Sequence, residues 1–249
     1  MDSWEGLSRS GHRVRVIAHR GANKWAPENT APAFEKAIEI ALDFVEIDLR
    51  QTRDGMLISF HDHDVSGKTN GRGNIWDLRW EEVSRLDAGS WFSPEFAGTR
   101  LLTLDEIFAL CAHRVGVYID WKAGPAEKVV ALIEKHGVET EVLVHTDLAT
   151  SRQVQALNAK VVLMPAGRSL EGLRTVGEAL RPPLIEVRGE VFSDEMVAEA
   201  ARYGMKCTTS LTGTCDTEDM MRRVIRAGVV AIETDHPDVL LRVLGEEGA

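Results

Sequence analysis

Short apolar runs alternate with amphipathic stretches along almost the whole chain. The first three runs, residues 14–18, 44–49 and 57–60, have the length and the apolar content of buried strands. Residues 30–42, between the first two runs, carry apolar side chains at the i, i+3, i+4 and i+7 spacing of an amphipathic helix. Strands that alternate with helices predict βα units, and such units build a parallel sheet.

The alternation continues along the rest of the chain and predicts nine strands in all. The other six cover residues 115–119, 141–144, 161–164, 184–187, 206–209 and 229–232. A chain of 249 residues with this pattern is typical of an α/β protein with a TIM-type (β/α)8 barrel, which needs eight strands. One predicted strand must therefore be irregular or lie outside the barrel, and the pattern does not identify which.

The connection from Asp62 to Leu102 is much longer than the other predicted loops. It contains three of the six tryptophans, at positions 76, 80 and 91. A connection of this length within a compact domain usually has a function. We expect a small lobe, approximately residues 62–102, inserted after the third strand and beside the barrel mouth. No linker divides the chain, so residues 1–249 are predicted to form one domain.

Polar side chains stand at the carboxyl ends of the first three predicted strands. His19 and Arg20 follow the first strand, Glu46 and Asp48 lie in the second, and His61 follows the third. In an α/β barrel the carboxyl ends of the strands face one mouth, where the chemistry takes place. We therefore expect these five side chains to surround one ligand.

Glu46 and Asp48 are two residues apart on one strand, so both carboxylates face the same way. Neighbouring carboxylates repel each other unless a cation lies between them, and their oxygens are the ligands that Mg²⁺ or Ca²⁺ prefers. Asp120 and Lys122 share a face at the end of the fourth predicted strand. Asp120 would complete the metal shell and Lys122 would meet a ligand anion. The same spacing is also typical of an internal ion pair.

His19 and His61 are candidates for proton transfer, because the pKa of histidine lies near neutrality. Arg20 offers a planar fork for phosphate oxygens. Asn29 precedes the helix entry at Thr30, which is a typical N-cap residue. We also expect Asn29 to turn toward the mouth and to contact the substrate.

Composition and charge restrict the partners. The formal net charge of −10, with no basic stripe, argues against a nucleic-acid partner. No apolar run reaches the roughly 18 residues that a membrane span needs. The first residues, Met1 to Gly6, lack the features of a secretory leader, and three scattered cysteines do not suggest a disulfide framework. We expect a cytoplasmic protein, although a mature secreted chain has the same features. Nothing in the sequence indicates an oligomeric state.

Taken together, these motifs resemble the glycerophosphodiester phosphodiesterase family. The resemblance is dense in the first half of the chain and sparse between about residues 123 and 230. The matching segments are Ala18-His19-Arg20-Gly21, Pro27-Glu28-Asn29-Thr30, Glu46-Ile47-Asp48-Leu49, Thr52-Arg53-Asp54-Gly55, His61-Asp62, Asp87-Ala88-Gly89-Ser90-Trp91, Leu102-Thr103-Leu104-Asp105-Glu106 and Thr234-Asp235-His236-Pro237.

The resemblance implies a barrel related to phosphatidylinositol-type phospholipase C, with an inserted lobe after the third strand. It also implies hydrolysis of glycerol 3-phosphate diesters, small-molecule substrates, to an alcohol and glycerol 3-phosphate. Carried over by position, it implies His19 and His61 as the acid–base pair, Arg20 and Lys122 as phosphate contacts, and Glu46, Asp48 and Asp120 as ligands of a divalent metal.

The chain departs from the family pattern in three places. Asp120 stands where the family usually has glutamate, which predicts an altered but retained metal site. Gly67-Lys68-Thr69 replaces the usual Arg-Thr-Thr, and Thr208-Thr209-Ser210-Leu211 occupies the region of the common Trp-Thr-Val-Asn. The last two departures lie in expected walls of the pocket. The sequence therefore does not define which alcohol the substrate releases.

Two other functions stay open at this point. A metal-dependent amidohydrolase on a barrel would use His61, His63, Lys122, His145 and Asp235 as ligands. However, its His-x-His pair belongs on the first strand, and taken alone His145 and Asp235 are expected to be structural hydrogen-bonding groups. A non-catalytic phosphodiester-binding protein is the other alternative, although the two histidines argue against it.

Overall fold

Eight parallel strands form a barrel in the computed structural model, which describes residues 6–249. Their order around the barrel is β6-β5-β4-β2-β1-β9-β8-β7, and a parallel bridge between Ala166 and Glu186 connects the two end strands. The predicted TIM-type (β/α)8 barrel is therefore confirmed. The bounds are β1 (Arg15–Ala18), β2 (Phe44–Gln51), β3 (Leu57–Ser59), β4 (Gly116–Trp121), β5 (Val142–His145), β6 (Val162–Leu163), β7 (Leu184–Glu186), β8 (Lys206–Ser210) and β9 (Ala231–Thr234).

The third predicted strand is the one outside the barrel. β3 pairs antiparallel with the end of β2, with Leu49 opposite Ser59. A turn between the two strands has Gly55 at φ 85° and reverses the chain. The prediction that His61 follows a strand of the barrel is therefore wrong, because β3 is not part of the barrel. β2 continues past its barrel neighbours, and β3 brings the chain back to the mouth.

Nine α-helices lie among residues 6–249. None of them is long and apolar enough to cross a membrane.

Thr103 and Glu106 form the predicted capping box, whereas the Thr30 hydroxyl donates to the Pro27 carbonyl and does not cap its helix. The helices are α1 (Ala31–Glu39), α2 (Trp80–Val83), α3 (Leu104–Cys111), α4 (Ala126–His136), α5 (Leu148–Leu157), α6 (Leu170–Ala179), α7 (Asp194–Arg202), α8 (Glu218–Arg226) and α9 (Pro237–Glu247). The expectation about a leader concerns residues 1–6, of which 1–5 lie outside the described part.

Alternate residues of the strands point into the barrel, and their character changes along its axis. At the amino ends of the strands the inward side chains are apolar; toward the carboxyl ends they become ionisable. On β2, for example, Phe44 is followed inward by Glu46 and then Asp48, while Val45 and Ile47 pack outward in the core shared with the helices. The apolar inner cluster comprises Ile17, Phe44, Tyr118, Leu143, Val162, Met164, Leu184 and Ala231.

Residues 62–102 form a small lobe with a core of its own. The lobe contains α2 and three short 3₁₀ turns. Its separate apolar cluster includes Val65, Ile75 and Leu101 together with Ile58 on β3. Asp87 accepts backbone N–H groups from Gly89, Ser90 and Gly98, so one carboxylate holds the long loop that follows.

The barrel interior leaves no room at Gly116, on β4. A Cβ atom there would lie 2.3 Å from two atoms of the fully buried Phe44 ring. We expect Gly116→Ala to lower the free energy of unfolding by about 1–3 kcal/mol, the usual effect of overpacking a core. Urea unfolding measures this. The control is Gly245→Ala in α9, where nothing lies within 4 Å and a small stabilisation is expected. Equal stability of the two variants would contradict the interior packing.

Candidate active site

A cavity of about 520 Å³ opens at the carboxyl ends of the barrel strands. The antiparallel return of β3 brings His61 to this cavity together with side chains from the barrel strands. Seven of the eight predicted site residues line it: His19, Arg20, Glu46, Asp48, His61, Asp120 and Lys122.

Three carboxylates converge on one wall of this cavity. Asp48 on β2 is the register partner of Asp120 on β4, and Glu46 lies below Asp48 on the same inward face. One oxygen from each of the three lies within 4.8 Å of the others. Hard oxygen atoms at this spacing, buried in the case of Glu46 and Asp48, fit a divalent cation.

The electrostatics of Glu46 support the same interpretation. Glu46 is 2% exposed, and burial together with the charges of Asp48, Glu233 and Asp120 raises its pKa well above the usual value. The backbone N–H of Arg20 donates to Glu46 Oε2 at 2.7 Å and offsets the shift only in part. The crowded carboxylates therefore resist ionising together, and a cation among them would favour their ionised forms.

Two side-chain cations neutralise part of this charge. Lys122 Nζ contacts Asp120 Oδ2 and lies 3.6 Å from Asp48 Oδ1. Arg20 Nε lies 3.4 Å from Asp48 Oδ2, and its Nη1 bonds Glu28 Oε1 at 2.9 Å. The internal ion pair of Asp120 and Lys122 is thus present, inside the same cavity as the acid cluster.

Asp235 holds the ring of His19. The His19 Nδ1 atom lies 2.7 Å from Asp235 Oδ1, and Asn23 Nδ2 donates to the same oxygen at 2.6 Å. Desolvation lowers the pKa of His19, but the hydrogen bond to Asp235 and the charge of Glu233 outweigh it, so the pKa is raised. The expectation that Asp235 is a structural hydrogen-bonding group is confirmed, and the group it holds is His19.

His61 is held in a similar way at a more open position. Its Nδ1 atom lies 2.8 Å from Asp62 Oδ1, and its side chain is 38% exposed, compared with 17% for His19. The Arg50 guanidinium, on β2, donates to the backbone carbonyls of Phe60 and His61. The His61 backbone is therefore fixed to the strand that carries Glu46 and Asp48.

Asn29 does not contact the cavity, which corrects the prediction that it binds substrate. It is 1% exposed, donates through Nδ2 to Asp48 Oδ2 at 3.0 Å, and accepts from the Ser59 hydroxyl and the Asp48 N–H. Its backbone has φ 58°, a left-handed conformation that asparagine tolerates. Asn29 is therefore suited to orient Asp48 from behind.

Several cavity residues were not predicted. Glu186 and Glu233 had a signal in the sequence, since each is a carboxylate within or directly after an apolar run, as Glu46 is. Burial raises the pKa of Glu233 to about 7, although the charge of His19 opposes the shift. His63, proposed for the amidohydrolase, packs against Trp76 and does not line the cavity. The further lining residues are Tyr118, His145, Ala166, Gly167, Arg168, Arg188, Glu190, Val191, Ser210 and Thr212.

Comparison with known proteins identifies relatives along nearly the whole chain. The model of the glycerophosphoryl diester phosphodiesterase family matches residues 19–165. A glycerophosphodiester phosphodiesterase of Caldanaerobacter subterraneus subsp. tengcongensis is 34% identical over 95% of this chain and 100% of its own length. One from Bacillus subtilis is 29% identical over 96% of this chain and 89% of its own.

Solved structures share the fold. A glycerophosphodiester phosphodiesterase from Agrobacterium tumefaciens superposes with a TM-score of 0.81 at 26% identity, over 92% of this chain and 99% of that one. An Oleispira antarctica phosphodiesterase, solved in complex with the product sn-glycerol-3-phosphate, has a TM-score of 0.78 at 22% identity, over 93% of this chain and 96% of that one.

The position of Asn29 behind Asp48 generates a prediction. Asn29→Gly removes all three side-chain hydrogen bonds without straining the backbone at φ 58°. We expect the affinity for Mg²⁺ or Ca²⁺ to fall about 10–100-fold, the usual effect of losing a group that orients a ligand. Calorimetric titration measures it. Asn74→Ala, which removes an amide bonded to Asp77 in the lobe, is the control. An unchanged affinity in a folded Asn29→Gly variant would refute the orienting role.

Proposed function

The chain belongs to the glycerophosphoryl diester phosphodiesterase family, and on that basis we propose that it hydrolyses glycerophosphodiesters by metal-assisted acid–base catalysis with His19 and His61. The products would be an alcohol and glycerol 3-phosphate, the molecule bound in the Oleispira antarctica relative. The observation that carries the proposal is the convergence of two carboxylate-held histidines and an acid cluster on one cavity.

We propose that Glu46, Asp48 and Asp120 hold the divalent cation, either Mg²⁺ or Ca²⁺. When bound, the cation supplies positive charge that stabilises the charge on the phosphate oxygens in the transition state. Asp120 is one methylene shorter than glutamate, and Asn29 orients Asp48. Variable ligand distances suit Ca²⁺ better than Mg²⁺, so we expect the two ions to differ in affinity.

His19 and His61 transfer the protons. Each ring is bonded through Nδ1 to an aspartate, which leaves Nε2 for the substrate. One histidine takes a proton from the nucleophile, which is water or the substrate's own glycerol hydroxyl, and the other protonates the departing alkoxide. If the glycerol hydroxyl attacks, a cyclic phosphate forms, and water then opens it to glycerol 3-phosphate. Asp235 and Asp62 fix the orientation of the His19 and His61 rings.

Arg20 and Lys122 bind the phosphate. Both cations lie within 4 Å of Asp48 and line the cavity beside the acid cluster. A diester phosphate at this point would meet the guanidinium fork on one side and the ammonium group on the other. Arg20 is itself held by Glu28, and Lys68 of the lobe also bonds Glu28, at 3.1 Å. The lobe thus supports the position of Arg20.

We propose a cytoplasmic location, supported by the free thiols of Cys111, Cys207 and Cys215. A non-catalytic role is the second candidate and predicts binding without turnover. The amidohydrolase is set aside, because His63 lies outside the cavity and the relatives are phosphodiesterases.

Purified protein incubated with glycerophosphodiesters tests the activity. We expect release of glycerol 3-phosphate in the presence of Mg²⁺ or Ca²⁺ and its loss in excess EDTA, because the acid cluster would lose its cation. An enzyme-coupled assay measures glycerol 3-phosphate. Full activity in EDTA, with metal absent by elemental analysis, refutes the metal dependence, and binding without turnover favours the non-catalytic alternative.

Substitution of the histidines tests their roles. We expect His19→Ala and His61→Ala each to lower kcat by roughly 10²–10⁴ with the fold retained. The double variant should lose less than the product of the two effects, since both residues act in one proton-transfer cycle. His12→Ala is the control, because His12 precedes β1 at the opposite end of the barrel. Near-normal turnover by either single variant would remove that residue from the mechanism.

A further inference from the structure

Two arginines line the cavity on the side opposite to the strands that carry Arg20, Glu46 and Asp48. Arg168 follows β6 and Arg188 follows β7, whereas Glu46 and Asp48 lie on β2. In the closed order of the eight barrel strands, β6 lies four positions from β1 and β7 lies four positions from β2. The two arginines therefore lie across the mouth from the ends of β1 and β2, where Arg20 and Asp48 are found.

The chain holds these arginines side by side. Ala166 and Glu186 form a parallel bridge, and the Gly167 N–H donates to the Glu186 carbonyl at 2.6 Å. Arg168 and Arg188 are each two residues beyond a member of this bridge. Both therefore leave the barrel rim at the same level, and both line the cavity.

The charge of this pair is only partly balanced. Arg188 Nε lies 3.5 Å from Glu190 Oε2, while Arg168 is exposed and has no ion pair or hydrogen bond within residues 6–249. Glu186, the other carboxylate near the pair, is buried and bonds Tyr118 and His145, so it does not pair with either guanidinium group. Like charges held side by side repel, and an anion between them removes the repulsion.

A diester whose phosphate lies at Arg20 and Lys122 must extend one arm across the mouth. We propose, on the basis of the proposed function, that Arg168 and Arg188 form a second anion subsite, which binds a carboxylate or phosphate carried by the alcohol arm. The glycerol arm is neutral, so only the alcohol supplies such a group. Guanidinium forks match both anions, and they repel a quaternary ammonium. The substrate class is therefore glycerophosphodiesters of anionic alcohols.

Four diesters that differ only in the alcohol test this subsite. The alcohols are choline, which is cationic, glycerol, which is neutral, a hydroxycarboxylic acid and a polyol monophosphate. We expect the wild-type protein to have a higher kcat/KM for the anionic diesters than for the choline diester. In the Arg168→Ala/Arg188→Ala variant, kcat/KM for the anionic diesters should fall about 10–100-fold, with the glycerol diester little changed. The two anionic diesters distinguish carboxylate from phosphate as the preferred group.

The control is Arg152→Ala, which removes an exposed arginine on α5 outside the cavity. It should leave all four kcat/KM values unchanged. An equal loss for all four diesters in the double variant would show that the arginines attract the scissile phosphate only, and would overturn the subsite. Equal wild-type turnover of all four diesters would overturn it as well. Absence of any turnover would refute the proposed function itself, and with it the basis for this subsite.

Discussion

Asp48 and Asp120 are register partners on adjacent parallel strands, and Glu46 lies below Asp48 on the same inward face. Strand pairing holds these three carboxylates close together, so their mutual repulsion is a consequence of the fold. Burial and the neighbouring charges raise the pKa of Glu46 in the folded chain, so the ion-free fold loses stability as the pH rises through that raised value. A divalent cation among the oxygens would remove this repulsion. We therefore expect the folded barrel to be more stable with a divalent cation bound to the cluster than without one.

The rest of the site is arranged around that cluster. Asn29 holds Asp48 from behind, and Lys122 and Arg20 neutralise part of the charge from the cavity side. β2 also continues beyond the barrel and turns back through β3, so the strand that carries Glu46 and Asp48 also fixes the backbone of His61. His19 reaches the cavity independently, from β1, with its ring held by Asp235. The two histidines proposed to transfer protons are therefore held by different strands at one cavity.

Much of this arrangement follows from periodicity. The two-residue repeat of a strand was enough to predict that Glu46 and Asp48 share a face, and the alternation of elements predicts the barrel. The antiparallel pairing of β3 with β2 could not be predicted, because a short apolar run has the same pattern in a parallel and in an antiparallel strand. The burial of Asn29 depends on its left-handed backbone, which no pattern of polarity encodes. Arg168 and Arg188 lie on loops, where their approach to the cavity depends on the closure of the barrel between β6 and β7. Glu186 and Glu233, in contrast, lie within or directly after apolar runs, as Glu46 does, and could have been predicted.

The most direct test of the account is a calorimetric titration of the ion-free protein with Mg²⁺ and Ca²⁺ in two buffers of different ionisation enthalpy. If the acid cluster holds the cation, binding is saturable and releases protons, because the ion displaces the proton that the raised pKa of Glu46 retains. We expect Glu46→Gln to weaken binding and to remove the proton release. Wild-type affinity and wild-type proton release in Glu46→Gln, or no binding of either ion to the unaltered chain, would contradict it.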